Sequence, residues 1–122
     1  MIRAVLSLFF ATAISANSQA QDANREIEKK YYIDESVKIC HPPTEIVHLP
    51  GARGEPYFLK YRSRDLSETY LTIVIWGRDI PNLQINPINY FSTENMCMTG
   101  VVSEYNGQRQ IVIRDPKQLV KK

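Results

Sequence analysis

Residues 96–113 read MCMTGVVSEYNGQRQIVI, and this stretch decides the fold. Two apolar, β-branched runs flank Tyr105-Asn106-Gly107-Gln108. Asn-Gly between strand-like segments predicts a tight hairpin turn, because both residues tolerate the positive φ that such a turn requires. Gly100 lies inside the first run, where a glycine marks a bend or a close approach of another part of the chain. The chain near its C-terminus is therefore expected to fold back on itself as a long, bent β-hairpin.

Working outward, further strands are expected at SVKIC (36–40), YFLKYR (57–62) and YLTIVIW (70–76). The first alternates polar and apolar residues and stops at His41-Pro42-Pro43, where prolines cannot donate ladder hydrogen bonds. The last is the most β-prone run in the chain. PGARGE (50–55) and SRDLSE (63–68) read as turns. RDIPNLQINPINYF (78–91) has an apolar spacing that predicts one short helix with irregular, proline-marked ends. DPKQLVKK (115–122) reads as a polar tail. Five strands with one helix after the third make an all-β domain, a five-stranded Greek-key barrel of the OB-fold kind. Strand count alone also allows an SH3-like barrel, and the helix position favours the OB-fold.

Residues 1–20, MIRAVLSLFFATAISANSQA, carry one early cation, Arg3, then an apolar run ending in Ser18-Gln19-Ala20. That pattern predicts a secretory signal peptide, since the apolar run is too short to span a bilayer. The protein is expected to be periplasmic or secreted. Cleavage leaves roughly 100 residues, one small domain. Residues 21–35, QDANREIEKKYYIDE, read as a charged lead, mobile or briefly helical; the domain spans 36–119, and 120–122 trail behind. The net charge of +2 falls to +1 once Arg3 is removed, so attraction to a polyanion must come from a local patch. Cys40 and Cys97 are the only cysteines, and an oxidising compartment makes a disulfide their expected state.

The set EPYFLKY, TIVIWG, CMTGVVSEYNGQRQIVI and DPKQL resembles bacterial OB-fold domains of the nucleic-acid-binding, tRNA-anticodon-like class, over residues 36 to 119. Those domains carry Phe-Leu on strand two, Val-Ile-Trp-Gly at the end of strand three, then Cys-Val-Thr-Gly, Tyr-x-Gly and Pro-Gln-Ile-Val, and close on Pro-x-Gln-Ile/Leu. This chain departs from the pattern twice. Cys40-His41-Pro42-Pro43 stands where the family runs Cys-Gly-x-Val, so the first strand must end early or leave the barrel. Arg109 replaces the proline of Pro-Gln-Ile-Val and adds a cation beside the hairpin tip. The resemblance implies that strand one closes against strand four, bringing Cys40 and Cys97 together at an outward-facing seam. Gly100 is then the bend that lets strand four curve.

Alternation places Tyr57, Leu59 and Tyr61, with Leu71, Ile73 and Ile75, toward the core. Phe58, Lys60, Arg62, Tyr70, Thr72 and Trp76 then share the outer surface of strands two and three, where OB-folds bind oligomers. The flanking loops offer Arg53 on one side and Tyr105 and Arg109 on the other. Rings interleaved with cations suit single-stranded nucleic acid, because bases stack on rings while Lys and Arg track phosphates. A β-bulge would exchange the two faces, and Trp76 has an alternative place beneath the helix.

The expected function is exported binding of single-stranded DNA or RNA, or a similar oligomer. The alternative is a cell-envelope module that binds a protein or glycan. Neither a cofactor nor a metal is expected: His41 and His48, with Glu45 between them, match no zinc spacing. Arg62, Arg64, Asp65 and Glu68 resemble a nuclease cluster but fall in a predicted turn, so no catalytic residues are expected.

Overall fold

The computed structural model describes residues 30–92 and 95–122; the expected signal peptide (1–20) and most of the expected charged lead lie outside the described residues. The described chain is all-β. It forms β1 (Ser36–Ile39), β2 (Glu45–His48), β3 (Tyr57–Arg62), β4 (Thr69–Ile75), α1 (Ile80–Leu83), β5 (Met96–Val101), β6 (Ser103–Tyr105), β7 (Gln108–Val112) and β8 (Leu119–Lys121). Short 3-10 turns occupy Gly77–Asp79, Tyr90–Ser92 and Pro116–Gln118. Two sheets result, ordered β1-β5-β8 and β2-β3-β4-β7-β6. All pairings are antiparallel except β4 with β7.

One strand is added to those expected, and one expected strand is divided between the sheets. The run begun at SVKIC ends at Ile39, and Pro42-Pro43 carries the chain across to β2, a strand the sequence reading did not assign. The first arm of the hairpin divides at Val102, whose N–H donates to Glu35 and whose carbonyl accepts from Asp34. The helical segment is shorter than its apolar spacing predicts. α1 has only four residues, and Gln84, in the left-handed region at φ 54°, ends it. The expected polar tail is structural: Asp115 and Gln118 form a capping box, and β8 pairs with β5.

Alternation builds the core as predicted. Ile46, Leu59, Ile73 and Ile111 form one row across β2, β3, β4 and β7, and the last three are buried. They join Val37, Ile39 and Met98 from the other sheet in a single apolar cluster. Each such fully buried aliphatic side chain contributes about 1.5–3 kcal/mol. Gly100 acts here through close approach: a Cβ at that position would overlap the Ile111 side chain, so only glycine lets β7 close on β5. Gln118 ties the same junction, its amide nitrogen donating to Thr99 O (3.1 Å) and Val112 O (3.0 Å).

The Cys40–Cys97 disulfide forms at the end of β1. The seam is not solvent-facing at Cys97, however. That residue lies opposite Val120 on β8, its carbonyl accepts the Tyr90 hydroxyl at 2.6 Å, and its side chain is fully buried.

Candidate functional site: a cationic cleft at one end of the larger sheet

The outer face of the larger sheet carries two cross-strand rows. One is apolar: Val47, Phe58, Val74 and Val112. The other is polar: Glu45, Lys60, Thr72, Gln110 and Ser103. Directly opposed residues share a face, so the 2-residue period of each strand produces both rows.

The polar row opens into a cleft of about 610 Å³. Its floor is Lys60, Tyr70 and Thr72. The β3–β4 turn walls one side with Ser67, Glu68 and Thr69, and the β6–β7 turn walls another with Gly107, Gln108 and Arg109. Lys30 and Tyr31 complete the lining. Four of the residues predicted from sequence therefore meet there: Lys60, Tyr70, Thr72 and Arg109. Arg53, Phe58, Arg62, Trp76 and Tyr105 do not line it.

Each residue outside the cleft has a distinct setting. Arg62 pairs with Glu45 at 2.7 Å, and its backbone N–H donates to the Thr44 hydroxyl. That pairing takes the carboxylate directly opposite Lys60 in register. Among the described residues Lys60 has no ion pair, although it is half-buried. Trp76 lies at the far end of β4, where Gly54 packs on its ring: a Cβ on Gly54 would meet Trp76 Cε3 at 2.8 Å. The Gly77 N–H fixes that loop by donating to Gly54 O (2.9 Å). Phe58 belongs to the apolar row, Arg53 is exposed in the same loop, and Tyr105 is 65% exposed on β6.

Tyr70 departs from simple alternation. Tyr61 pairs with Leu71 and Arg62 with Thr69, so Tyr70 is the extra residue of a β-bulge. The bulge brings its ring to the rim of the core, parallel to Tyr31 at 6.1 Å between centroids. Burial, followed by the neighbouring Tyr70 and Glu35, raises the Tyr31 pKa. Burial likewise pushes Tyr61 well up, and its hydroxyl donates to His41 O at 2.7 Å. Both phenols remain neutral donors at any physiological pH.

The β3–β4 turn is held by Asp65. Its carboxylate accepts the Ser67 hydroxyl (2.6 Å), the Ser67 N–H (3.1 Å) and the Ser63 hydroxyl (2.8 Å). These bonds, led by the Ser67 hydroxyl, hold its pKa down at about 2. The resemblance of Arg62, Arg64, Asp65 and Glu68 to a catalytic cluster thus has a turn-forming cause for Asp65. Among the described residues no group of three or more His, Cys, Asp or Glu side chains is placed to hold a metal ion.

Lys30 and Tyr31 are among the cleft residues that sequence reading missed, with Ser67, Glu68, Thr69, Gly107 and Gln108. The signal available for the first two was the Tyr31-Tyr32 doublet, an aromatic pair inside a charged segment. Ser67, Thr69 and Gln108 carried no distinguishing signal.

Comparison with protein-family models, curated proteins and solved structures gave no match. The chemistry of the cleft carries the functional reading.

Proposed function

We propose that the protein is an exported OB-type binding protein whose cleft holds a short stretch of single-stranded nucleic acid or a similar anionic oligomer. The observation that carries this reading is Lys60, half-buried on the cleft floor while the carboxylate opposite it is committed to Arg62. Three cations, Lys30, Lys60 and Arg109, line the cleft against one carboxylate, Glu68, and that excess of positive charge suits an incoming anion. Lys30 and Arg109 stand at the rim, Ser67, Thr69 and Thr72 supply hydroxyls, and Tyr70 supplies a ring. Rings and cations together are the chemistry of single-strand binding.

The OB assignment is supported by connectivity. β2, β3 and β4 make a meander, β7 joins β4 in parallel, and the chain changes sheet at Pro42-Pro43 and at Val102. Export is supported by the leader sequence, and the disulfide is compatible with it. Among the described residues no helix is long and apolar enough to cross a membrane.

The test is fluorescence anisotropy of the oxidised protein with labelled mixed-sequence single strands over a salt series. Two or three phosphate contacts predict that log K falls with log[salt] at a slope of about −1.4 to −2. Binding without salt dependence, or no binding, would sink the nucleic-acid reading. The second reading, an envelope protein-binding module, is favoured by the exposed apolar side chains of Tyr32, Ile33, Val101 and Tyr105. A crosslinking capture of one envelope protein through those residues would support it.

A further inference from the structure

We infer that the strap of residues 30–35 holds Lys30 and Tyr31 as a working wall of the cleft, with Tyr31 as the positioning residue that fixes Arg109 and the Tyr70 ring. The inference rests on the binding reading above and assigns the charged lead a role in it.

The strap is built from local chemistry. Asp34 has a positive φ of 69°, and Glu35 N–H donates to Tyr32 O, closing a turn. The Glu35 carboxylate accepts the Tyr32 N–H at 3.0 Å. Two further bonds, Asp34 N–H to Val102 O and Val102 N–H to Glu35 O, both 2.8 Å, moor the strap where β5 passes to β6. Of the three apolar or aromatic residues in Tyr31-Tyr32-Ile33, only Tyr31 turns inward: it is 5% exposed, whereas Tyr32 and Ile33 face solvent. Tyr31 is a member of the core cluster.

That burial places two groups of the cleft. The Tyr31 ring lies within 13° of parallel to Tyr70 and packs alongside it. The Tyr31 carbonyl accepts Arg109 Nε–H at 3.2 Å, while Arg109 Nη1 reaches Glu104 at 3.0 Å. A guanidinium held at two points loses less rotamer freedom when an anion arrives than a free arginine would. Arg109 is thus oriented at the rim by a residue 78 positions away in sequence. Glu104 alone would leave it a single exposed ion pair, which orders a side chain weakly.

The test compares Tyr31→Ala, Tyr31→Leu, Tyr31→Phe and Arg109→Ala in the full mature chain. The probe is a labelled mixed-sequence single strand titrated across a salt series. Tyr31→Phe keeps the buried ring and should bind as the unsubstituted protein does. Tyr31→Ala should weaken binding about tenfold and reduce the salt slope by about 0.7, one phosphate contact. Tyr31→Leu retains apolar bulk and so guards against simple unfolding, but it lacks the ring that seats the strap against Tyr70; the Tyr31 carbonyl then shifts from Arg109 and the same slope change should appear. Arg109→Ala should do likewise, and adding Tyr31→Ala to it should change the slope no further. An unchanged slope in Tyr31→Leu, or additive slope changes in the double variant, would overturn the inference.

A ligand-free readout separates this inference from the functional reading. Exchange of the Arg109 Nε proton, followed by NMR, should be slow in the unsubstituted protein and fast in Tyr31→Leu. Absence of oligonucleotide binding with that contrast intact would sink the nucleic-acid reading alone. Equal exchange rates would sink the positioning role whatever the protein binds.

Discussion

The two ends of the β3–β4 pair began from the same sequence pattern and finished differently. At the far end, Trp76 and Phe58 are half-buried rings that line no cleft. Gly54 rests on the indole, and Phe58 shares a row with Val47, Val74 and Val112. At the near end, Lys60 and Thr72 remain on the floor of an open cleft, because the bulge at Tyr70 and the Asp65-held turn keep the β3–β4 connection to one side. The same alternation therefore makes a cleft only where turns of the chain rise beside the sheet face.

The largest effect expected from breaking this contrast comes from the disulfide. Cys40 adjoins His41, whose carbonyl takes the Tyr61 hydroxyl close to the cleft end. Replacing both cysteines by alanine releases a 57-residue separation and should cost about 4 kcal/mol in a denaturant melt. Amide exchange should rise first around Tyr61 and Arg62. A uniform rise along β3 and β4 would argue that the two ends are not independent.

Next in size is Gly54→Ala. Its φ of 80° penalises any Cβ, and that Cβ would enter the Trp76 ring. A loss of roughly 2 kcal/mol and a red-shifted tryptophan emission are expected, with oligonucleotide affinity unchanged. Lost affinity would show that the far end takes part in binding after all.

Lys60→Ala is the mirror experiment. The fold should change in stability by no more than about 0.5 kcal/mol, while oligonucleotide affinity falls about tenfold. Retained affinity would move the ligand off the cleft floor.

The smallest expected effect is acid loosening of the β3–β4 turn. Asp65 titrates near 2 in the folded chain against an ordinary value of 3.8. A depressed folded-state pKa means its stabilisation is complete above about pH 4 and is lost as pH falls through about 2. Carboxyl chemical shifts should report that titration, and the amides of Ser67 and Glu68 should follow it while those around Trp76 do not. An Asp65 midpoint near 3.8 would remove the turn's claim to order one side of the cleft.

Much of this was legible in the linear chain. Leu59, Ile73 and Ile111 announce themselves by period-two alternation, Asn106-Gly107 by the positive φ values that the hairpin tip adopts (50° and 77°), and Pro42-Pro43 by their missing donors. Lys60, Thr72 and Arg109 followed from the same alternation and from the hairpin. Other elements were not legible because their stabilisation is non-local. β2 follows two prolines and exists because Glu45 to His48 find partners on β3; β8 looks like a polar tail until Met96 to Met98 lie beside it. Tyr31 gave no helical or strand period, since its position depends on the Tyr70 ring beside it and on the bonds that moor Asp34 and Glu35 to Val102.

By itself, the sequence determined that the chain is β-rich, that its hairpin turns at Asn106-Gly107, and which faces of β3 and β4 carry the core. Those properties depend on backbone sterics and on a two-residue period, both local. Only the tertiary structure decided that Gly54 packs on Trp76, that Tyr70 bulges, that Lys30 and Tyr31 line the cleft and that Cys97 is buried. Each of these depends on which distant segment reaches a surface first, and that competition for contact has no signature in neighbouring residues.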